Sequence, residues 1–293
     1  MPVVAFGFPN RGYEMIYIRL MGGLGNQMFQ YAFGKSLSVK NNLKLGLDLT
    51  YLSERPESPD YTIRDFDLAG FNIDCQAKKF LRFHPRLKRF MSRIERTIRE
   101  RSFNYDHDLS IPMDGAIYIG YFQSHKYFLD IRDALLELFK PRLLSEELNQ
   151  SLLDLKKNSV SIHVRRGDYV TNSKSNSFHG LCSLEYYHEG ISFILEKIDD
   201  PTFYVFSDDI DWVKENLKLK HSHKFISFIK SSPCDELYLM SRCHHNIIAN
   251  SSFSWWAAWL NNNPEKIVVA PKNWFKDPTI DTSDLIPSSW IRL

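Results

Sequence analysis

The sequence has no uninterrupted apolar run of about 18 or more residues, the length that a membrane-spanning helix needs. The apolar stretch at residues 1–8 has no basic segment before it and is soon interrupted by Pro9, so it is not typical of a signal peptide. These two absences predict a cytoplasmic protein. A regular strand pattern begins only after residue 15, so we expect residues 1–14 to be a dispensable extension.

A large charge excess and a cysteine framework are also missing. The formal net charge is +2, whereas a protein that binds nucleic acid over its whole surface needs a strong basic excess, so we expect no nucleic-acid partner. The four cysteines form no Cys-x-x-Cys pair, which argues against a disulfide framework and a zinc knuckle. Hydrophobic residues make up 43% of the 293, and this length fits two domains of ordinary size.

The order of predicted elements indicates an α/β protein. A strand at residues 16–20 is followed by Gly22, Gly23 and Gly25, a helix-compatible stretch at 27–40 and a second strand at 43–47. This order favours a parallel sheet. After a polar helical segment at 145–157, strands and helices alternate to residue 270, which predicts a doubly wound fold. We therefore predict one domain over 15–150 and another over 151–293.

A basic segment interrupts the first of these domains. Apolar residues at three- and four-residue spacing predict a helix over residues 85–101, and most of its charges are Lys or Arg. The simpler interpretation is a solvated helix face. The alternative is that this helix docks on an anionic membrane surface, which would allow peripheral attachment to the inner face of a membrane.

Two adjacent arginines follow the predicted strand at residues 160–164. Ligands of doubly wound folds lie beyond the carboxyl ends of the strands, and this end carries His163, Arg165, Arg166 and Asp168. Arginine binds phosphate oxygens in a bidentate manner, so the pair predicts a diphosphate site. A surface salt-bridge patch that includes Asp168 is the alternative.

A second anion site is predicted where a buried strand meets the helix at residues 253–260. Free backbone N–H groups at a helix start bind anions, and the hydroxyls of Ser251 and Ser252 would add donors there. The alternative is an ordinary serine cap of the helix.

Three acidic positions have more than one interpretation. Asp208 and Asp209 close the predicted strand at 203–206, and Asp209 with Asp211 forms a DxD pattern that some sugar transferases use to bind a metal. Asp209 could instead cap the next helix, and two arginines would make a metal unnecessary, so we expect none. Asp235 could cap a helix or accept hydrogen bonds from guanine; considered without relatives, the cap is favoured.

Four motifs then resemble one family. Residues 22–32 (GGLGNQMFQYA), 163–169 (HVRRGDY), 206–209 (FSDD) and 250–259 (NSSFSWWAAW) are similar, in order and spacing, to motifs of bacterial α-1,2-fucosyltransferases, a group like glycosyltransferase family 11. The resemblance extends over roughly residues 15–293.

The resemblance implies a GT-B fold, in which two Rossmann-like domains face a cleft. It implies an acceptor-side domain at 15–150 and a GDP-sugar domain at 151–293. The donor would be GDP-β-L-fucose, transferred with inversion to the 2-hydroxyl of a terminal galactoside in a surface glycan, including a lipid-linked one. Neither a metal nor another cofactor is expected.

The resemblance also implies roles for individual residues. Arg165 would hold the β-phosphate with support from Arg166, and Ser251 and Ser252 would complete the phosphate site. The other implied donor contacts are His163, Asp208, Asp209 and Asp235, the last as the guanine reader; Asn26 and Gln27 would line the acceptor side; and Asp168 is the nearest candidate base. A transferase of another GDP-sugar, a non-catalytic sugar-binding protein and a metal-dependent GT-A enzyme remain as alternatives.

Overall fold

The chain forms two α/β domains, each built on one parallel β-sheet. The structure is a computed structural model and describes residues 15–53, 64–73, 76–78, 96–167, 170, 172–228 and 232–293. One sheet has five strands and the other has six. No helix of the described residues is long and apolar enough to cross a bilayer.

The first sheet has the strand order β3-β2-β1-β5-β4, and all of its strands are parallel. Its chain order is β1 (Met15–Arg19), α1 (Leu24–Asn41), β2 (Lys44–Asp48), α2 (Thr50–Ser53), β3 (Gln76–Lys78), β4 (Thr97–Arg99) and β5 (Ile117–Ile119). Short 3₁₀ turns lie between α2 and β3 (Asp67–Gly70) and between β4 and β5 (His107–Ser110). Two more, His125–Tyr127 and Leu129–Ile131, follow β5 and precede α3 (Arg132–Leu138).

The second sheet has the order β11-β10-β9-β6-β7-β8, again with parallel strands. It begins after α4 (Glu146–Leu153) and continues with β6 (Ser159–Val164), α5 (Ser173–His179), α6 (Leu184–Leu195), β7 (Thr202–Ser207) and α7 (Ile210–Asn216). It ends with β8 (His223–Ile226), α8 (Pro233–Arg242), β9 (His245–Ile247), α9 (Ser252–Leu260), β10 (Val268–Ala270) and β11 (Ile291–Arg292). β6 is buried along its whole length, as expected of a central strand rich in β-branched residues.

One hydrophobic core joins the two domains through helices α1 and α9. The ring of Phe29 on α1 lies 4.4 Å from that of Trp255 and 5.0 Å from that of Trp256 on α9. The indole N–H of Trp256 donates to the carbonyl oxygen of Gly25 at 3.0 Å. The tryptophans of α9 are therefore core residues, and they fix one domain against the other.

The structure corrects one predicted helix and does not test the predicted domain boundary. Of the predicted basic helix at 85–101, residues 85–95 lie outside the described part, and the rest is not helical because Thr97–Arg99 pairs with β5 as strand β4. Pairing at a sheet edge has overridden the helical spacing of Ile98. The predicted domain boundary at 150/151 falls inside α4, and its position stays a prediction.

Candidate active site

A cleft of about 740 Å³ lies where the two sheets face each other. In each sheet the chain adds strands on one side of the first strand and then returns to add strands on its other side. The strand order therefore switches between β1 and β5 in the first sheet and between β6 and β9 in the second. Ligands of open parallel sheets bind at the carboxyl ends of the strands at such a switch point. Residues after all four of these strands line the cleft. The predicted GT-B arrangement of two Rossmann-like domains facing a cleft is confirmed.

The glycine-rich turn after β1 forms one wall. Gly22 has φ +76°, a left-handed conformation that glycine adopts without strain. A side chain on Gly25 would place its Cβ 2.4 Å from the carbonyl carbon of Ser252 and 2.5 Å from the nitrogen of Phe253. The glycine at position 25 therefore allows the starts of α1 and α9 to touch across the domain interface.

Asn26 and Gln27 have different places in this wall. Asn26 lines the cleft, and its side-chain oxygen accepts from Gln123 at 2.9 Å. Gln27 is fully buried and does not line the cleft; its amide donates to the main-chain oxygens of Gly22 and Asp65 and accepts from the N–H of Asp67. The prediction that Gln27 lines the cleft is therefore wrong, since all its hydrogen-bonding groups brace the loop behind the wall.

Arg165 enters the cleft from the end of β6. It forms an ion pair with Asp208 at 2.8 Å, and both residues line the cleft. A Cβ on Gly167 would lie 2.2 Å from a carboxylate oxygen of Asp208, so the glycine makes room for this carboxylate. Asp208 also accepts from the main-chain N–H of Arg166 at 2.8 Å. Asp208 thus holds the arginine-bearing turn in place and aligns Arg165.

Arg166 is oriented differently from Arg165. Its guanidinium lies 3.5 Å above the ring of Trp212 and pairs with Asp209 at 3.0 Å, and neither Arg166 nor Asp209 lines the cleft. Asp209 also caps α7 by accepting from Trp212 N–H. Asp211 pairs with Lys214 on the surface. The predicted donor contacts of Arg166 and Asp209 are therefore not supported by the geometry, and the DxD carboxylates do not converge on the cleft.

His163 lies beneath Arg165 and is almost fully buried. Burial lowers the pKa of His163 to about 4; the nearby Arg165 adds to this effect and Asp208 opposes it. The imidazole is therefore neutral at physiological pH. Its Nδ1 has no hydrogen-bond partner within the part of the chain that the structure describes. His163 therefore adds no charge beside Arg165, and its unpartnered Nδ1 is buried.

The start of α9 forms the second anion site. Ser251 and Ser252 line the cleft, and Ser251 makes no side-chain cap to the helix. The first turn of α9 has no acidic residue. The alternative of a serine cap is therefore wrong for Ser251, while binding of a phosphate by the N–H groups and the two hydroxyls stays a prediction. Asn250 supports this turn by donating to the main-chain oxygens of His179 and Trp274.

Comparisons with known proteins agree with this geometry. The model of glycosyl transferase family 11 matches residues 9–293. An α-1,2-colitosyltransferase of Escherichia coli is 37% identical over 295 residues, covering 96% of this chain and 99% of that protein. The O-antigen biosynthesis glycosyltransferase WbnK of Escherichia coli is 33% identical, covering 95% and 100%. The galactoside 2-α-L-fucosyltransferase SEC1 of Bos taurus is 29% identical, covering 51% and 43%.

The chain belongs to glycosyl transferase family 11.

The acidic residues of this family 11 glycosyltransferase are arranged differently from the prediction. Asp235 is buried in the first turn of α8 and does not line the cleft, whereas the next residue, Glu236, does. Burial raises the pKa of Glu236, and the charges of Asp208 and Asp235 raise it further. Asp235 therefore does not face the cleft, because the helix turns about 100° per residue and only one of two neighbours can face it. Its contact with guanine stays a prediction.

Two further residues of the family 11 cleft were missed by the sequence analysis. Asp67 lines the cleft from the first domain, on the 3₁₀ turn Asp67–Gly70. Arg64 lines it nearby. Both lie in a stretch from residue 53 to residue 67 that is rich in Pro, Glu, Asp and Ser and predicts a surface loop, and no local pattern singles out either residue. Asp168, the predicted base, lies outside the described residues.

Proposed function

We propose that this family 11 glycosyltransferase transfers a 6-deoxy sugar from its GDP-β-linked donor to the 2-hydroxyl of a terminal galactoside, with inversion at the anomeric carbon. The observation that carries the proposal is the meeting of Arg165 with the open start of α9 at one switch point. A guanidinium and a row of N–H donors suit a diphosphate. The names of the similar proteins supply the linkage and the sugar class.

The chemistry that this site favours is departure of a diphosphate. As the bond from the anomeric carbon to the β-phosphate oxygen breaks, negative charge accumulates on GDP and positive charge on the sugar. Arg165 and the α9 N–H groups would stabilise the first charge without transferring a proton. Since these donors already neutralise the leaving group, we propose that turnover needs no divalent metal.

The sugar itself is proposed as L-fucose, with colitose as the second candidate. Colitose is fucose without its 3-hydroxyl, and it is a candidate because the chain is 37% identical to a colitosyltransferase. A site that hydrogen-bonds the 3-hydroxyl would reject colitose strongly, whereas a site that leaves this position apolar could not reject either sugar. A direct competition between the two donors therefore decides which one the cleft recognises.

The guanine contact is proposed as Glu236. Its carboxylate lines the cleft on the same domain as Arg165, and a carboxylate can accept from both N1–H and the 2-amino group of guanine. Asp235 would support this contact from behind. The acceptor is proposed as a surface glycan, including a lipid-linked one; the basic segment that would touch the membrane lies largely outside the described residues.

The test measures GDP release and the product from GDP-fucose or GDP-colitose with a β-galactoside acceptor, in excess EDTA. Arg165→Ala should lower kcat by about 100- to 1000-fold, the cost of losing one donor to a developing anion. Arg166→Ala is the matched control, since its guanidinium is stacked on Trp212 outside the cleft, and it should lose far less.

Four results would contradict the proposal. Loss of wild-type turnover in EDTA would point to a metal-dependent reaction. Turnover with another GDP-sugar alone would assign a different donor. GDP binding without turnover of any donor would indicate a binding protein. Equal losses in the two arginine variants would remove the special role of Arg165.

A further inference from the structure

Three carboxylates among the described residues line the cleft: Asp67, Asp208 and Glu236. Asp208 is already paired with Arg165 at 2.8 Å and accepts the N–H of Arg166, so its charge is used in holding the arginine turn. Glu236 is on the domain that carries Arg165, next to the proposed nucleotide site. Asp67 is the one of the three that reaches the cleft from the opposite domain.

The position of Asp67 is fixed by contacts on three sides. Its main-chain N–H donates to the buried side-chain oxygen of Gln27 at 3.1 Å. Its main-chain oxygen accepts from the thiol of Cys234, on α8, at 3.7 Å. Its carboxylate accepts the N–H of Leu24 in the first turn of α1. The carboxylate is therefore held at the glycine-rich wall, with its backbone anchored to both domains.

The surroundings of Asp67 favour proton uptake. Burial raises the pKa of Asp67, and Asp65 raises it further, while Arg64 and the Leu24 N–H act in the opposite direction. A carboxylate becomes a stronger general base as its pKa approaches the working pH. The carboxylate of Asp208 is already engaged by the guanidinium of Arg165 at 2.8 Å.

We propose that Asp67 is the catalytic base of the transfer reaction, accepting the proton of the acceptor hydroxyl. This inference rests on the proposed function. Inversion requires the hydroxyl to attack the face of the sugar opposite the leaving GDP. Arg165 and α9 would hold GDP on the second domain, so the attacking group approaches from the first domain, where Asp67 lies.

The step balances in atoms and electrons. The acceptor oxygen forms its bond to the anomeric carbon as the bond from that carbon to the β-phosphate oxygen breaks, and GDP leaves with the electron pair. The proton of the acceptor hydroxyl moves to the carboxylate of Asp67 and is later lost to water. Neither an oxidant nor another co-reactant is required.

The test compares Asp67→Asn with Asp65→Asn, a matched control two residues away whose side chain is exposed and does not line the cleft. The isosteric change keeps the main-chain bonds of Asp67 to Gln27 and Cys234. Loss of a general base typically costs about 100- to 10,000-fold in rate, so kcat of Asp67→Asn should fall by at least 100-fold. GDP affinity should stay at the wild-type value. Asp65→Asn should keep kcat near the wild-type value on the plateau of the pH profile and move its acidic limb to lower pH, because the charge of Asp65 raises the pKa of Asp67.

The pH profile of kcat supplies a second readout that a structural role would not move. The groups that interact with Asp67 are Arg64 and Asp65 on its own segment and Cys234 on α8, while the first turn of α1 has no charged side chain. The acidic limb of the wild-type profile should disappear in Asp67→Asn and persist in Asp65→Asn.

Each result has one meaning. If kcat of Asp67→Asn stays within about tenfold of wild type, or its acidic limb persists, the base is another group while the proposed function stands. If GDP affinity falls in parallel with kcat, Asp67 supports the donor site and the proposal is wrong. If the wild-type protein neither binds GDP nor transfers sugar, the proposed function is wrong, and the assignment of Asp67 as its base is wrong as well.

Discussion

The contact between Gly25 and the start of α9 predicts that even one methyl group will be costly there. In Gly25→Ala the new Cβ would lie 2.4 Å from the carbonyl carbon of Ser252 and 2.5 Å from the nitrogen of Phe253. Both are backbone atoms of the other domain, and α9 is anchored by Trp255 and Trp256 in the shared core. Neither helix can move without disturbing the ring contacts with Phe29.

Two effects of opposite sign determine the magnitude. Alanine is favoured over glycine in a helix by about 1 kcal/mol. Inserting a methyl group into a well-packed contact costs about 1–3 kcal/mol, and a clash with anchored backbone belongs at the upper end. The net expectation is a loss of about 2 kcal/mol in the free energy of unfolding. In a domain of roughly 150–250 residues, each kcal/mol shifts Tm by about 2–4 °C.

The measurement is thermal unfolding of Gly25→Ala together with GDP affinity and kcat. Gly23→Ala is the matched control, because a Cβ there would have Arg64 as its nearest neighbour at 3.8 Å, an ordinary contact. Since Ser252 belongs to the proposed phosphate site, a displacement of about 1 Å could also lower kcat by about 100-fold. A Gly25→Ala protein that melts at or above the wild-type temperature would show that the two helices are free to separate.

Two further changes test the charges around the core and the cleft. Burial lowers the pKa of Lys266 to about 7, with Arg132 adding to the effect, although its ammonium donates to the carbonyl oxygens of Ala258 and Asn261. Above that pH the folded state has released a proton that the unfolded state keeps up to about pH 10.4, so stability should rise with pH across this window. Urea unfolding at about pH 6 and about pH 9 should show this rise in wild type and its loss in Lys266→Met. An equal change of the unfolding free energy with pH in the two proteins would contradict the prediction. Glu236→Gln should weaken GDP binding by about tenfold or more and reduce the preference for GDP over IDP, because a charge-assisted hydrogen bond contributes about 1.5–3 kcal/mol. Asp235→Asn should keep that preference, and calorimetric titration with both nucleotides would show the reverse if Asp235 reads the base.

The second domain was largely predictable because each of its strands is marked locally. Residues 160, 162 and 164 are apolar and β-branched, and the structure extends this strand by one residue only, to Ser159–Val164. The polar residues that follow it were therefore placed correctly at the strand end. Strand β11 (Ile291–Arg292) is the exception: it was not predicted, because two residues give no periodicity.

The first domain was less predictable because its edge strands depend on tertiary pairing. Thr97–Arg99 is a strand through its register with β5, and its own sequence favoured a helix. The place of Asp67 was equally hard to predict, because it lies on a short turn at the end of a polar stretch and only the folded chain brings it to the cleft. A local pattern marks residues that follow a regular element, and Asp67 follows none.

Neighbouring pairs of identical or similar residues were the main source of error within the site. Arg165 and Arg166 are equivalent in the sequence, yet one faces the cleft and the other stacks on Trp212. Asp235 and Glu236 are separated in the same way, with the second facing the cleft. A motif therefore locates the site to within a residue or two, and the direction of each side chain decides which member acts on the ligand.

The groups assigned to the proposed transfer lie on opposite domains of the cleft, although each domain also contributes charge of the other sign: Arg64 on the first, and Asp208 and Glu236 on the second. The second domain presents Arg165 and the positive end of α9, while the first presents Asp67 beside the glycine-rich turn. The leaving diphosphate and the incoming hydroxyl need opposite kinds of group on opposite sides of one carbon. Because Gly25 lets α1 and α9 touch at the interface, backbone contact fixes the glycine-rich turn against the helix start that carries the proposed phosphate site.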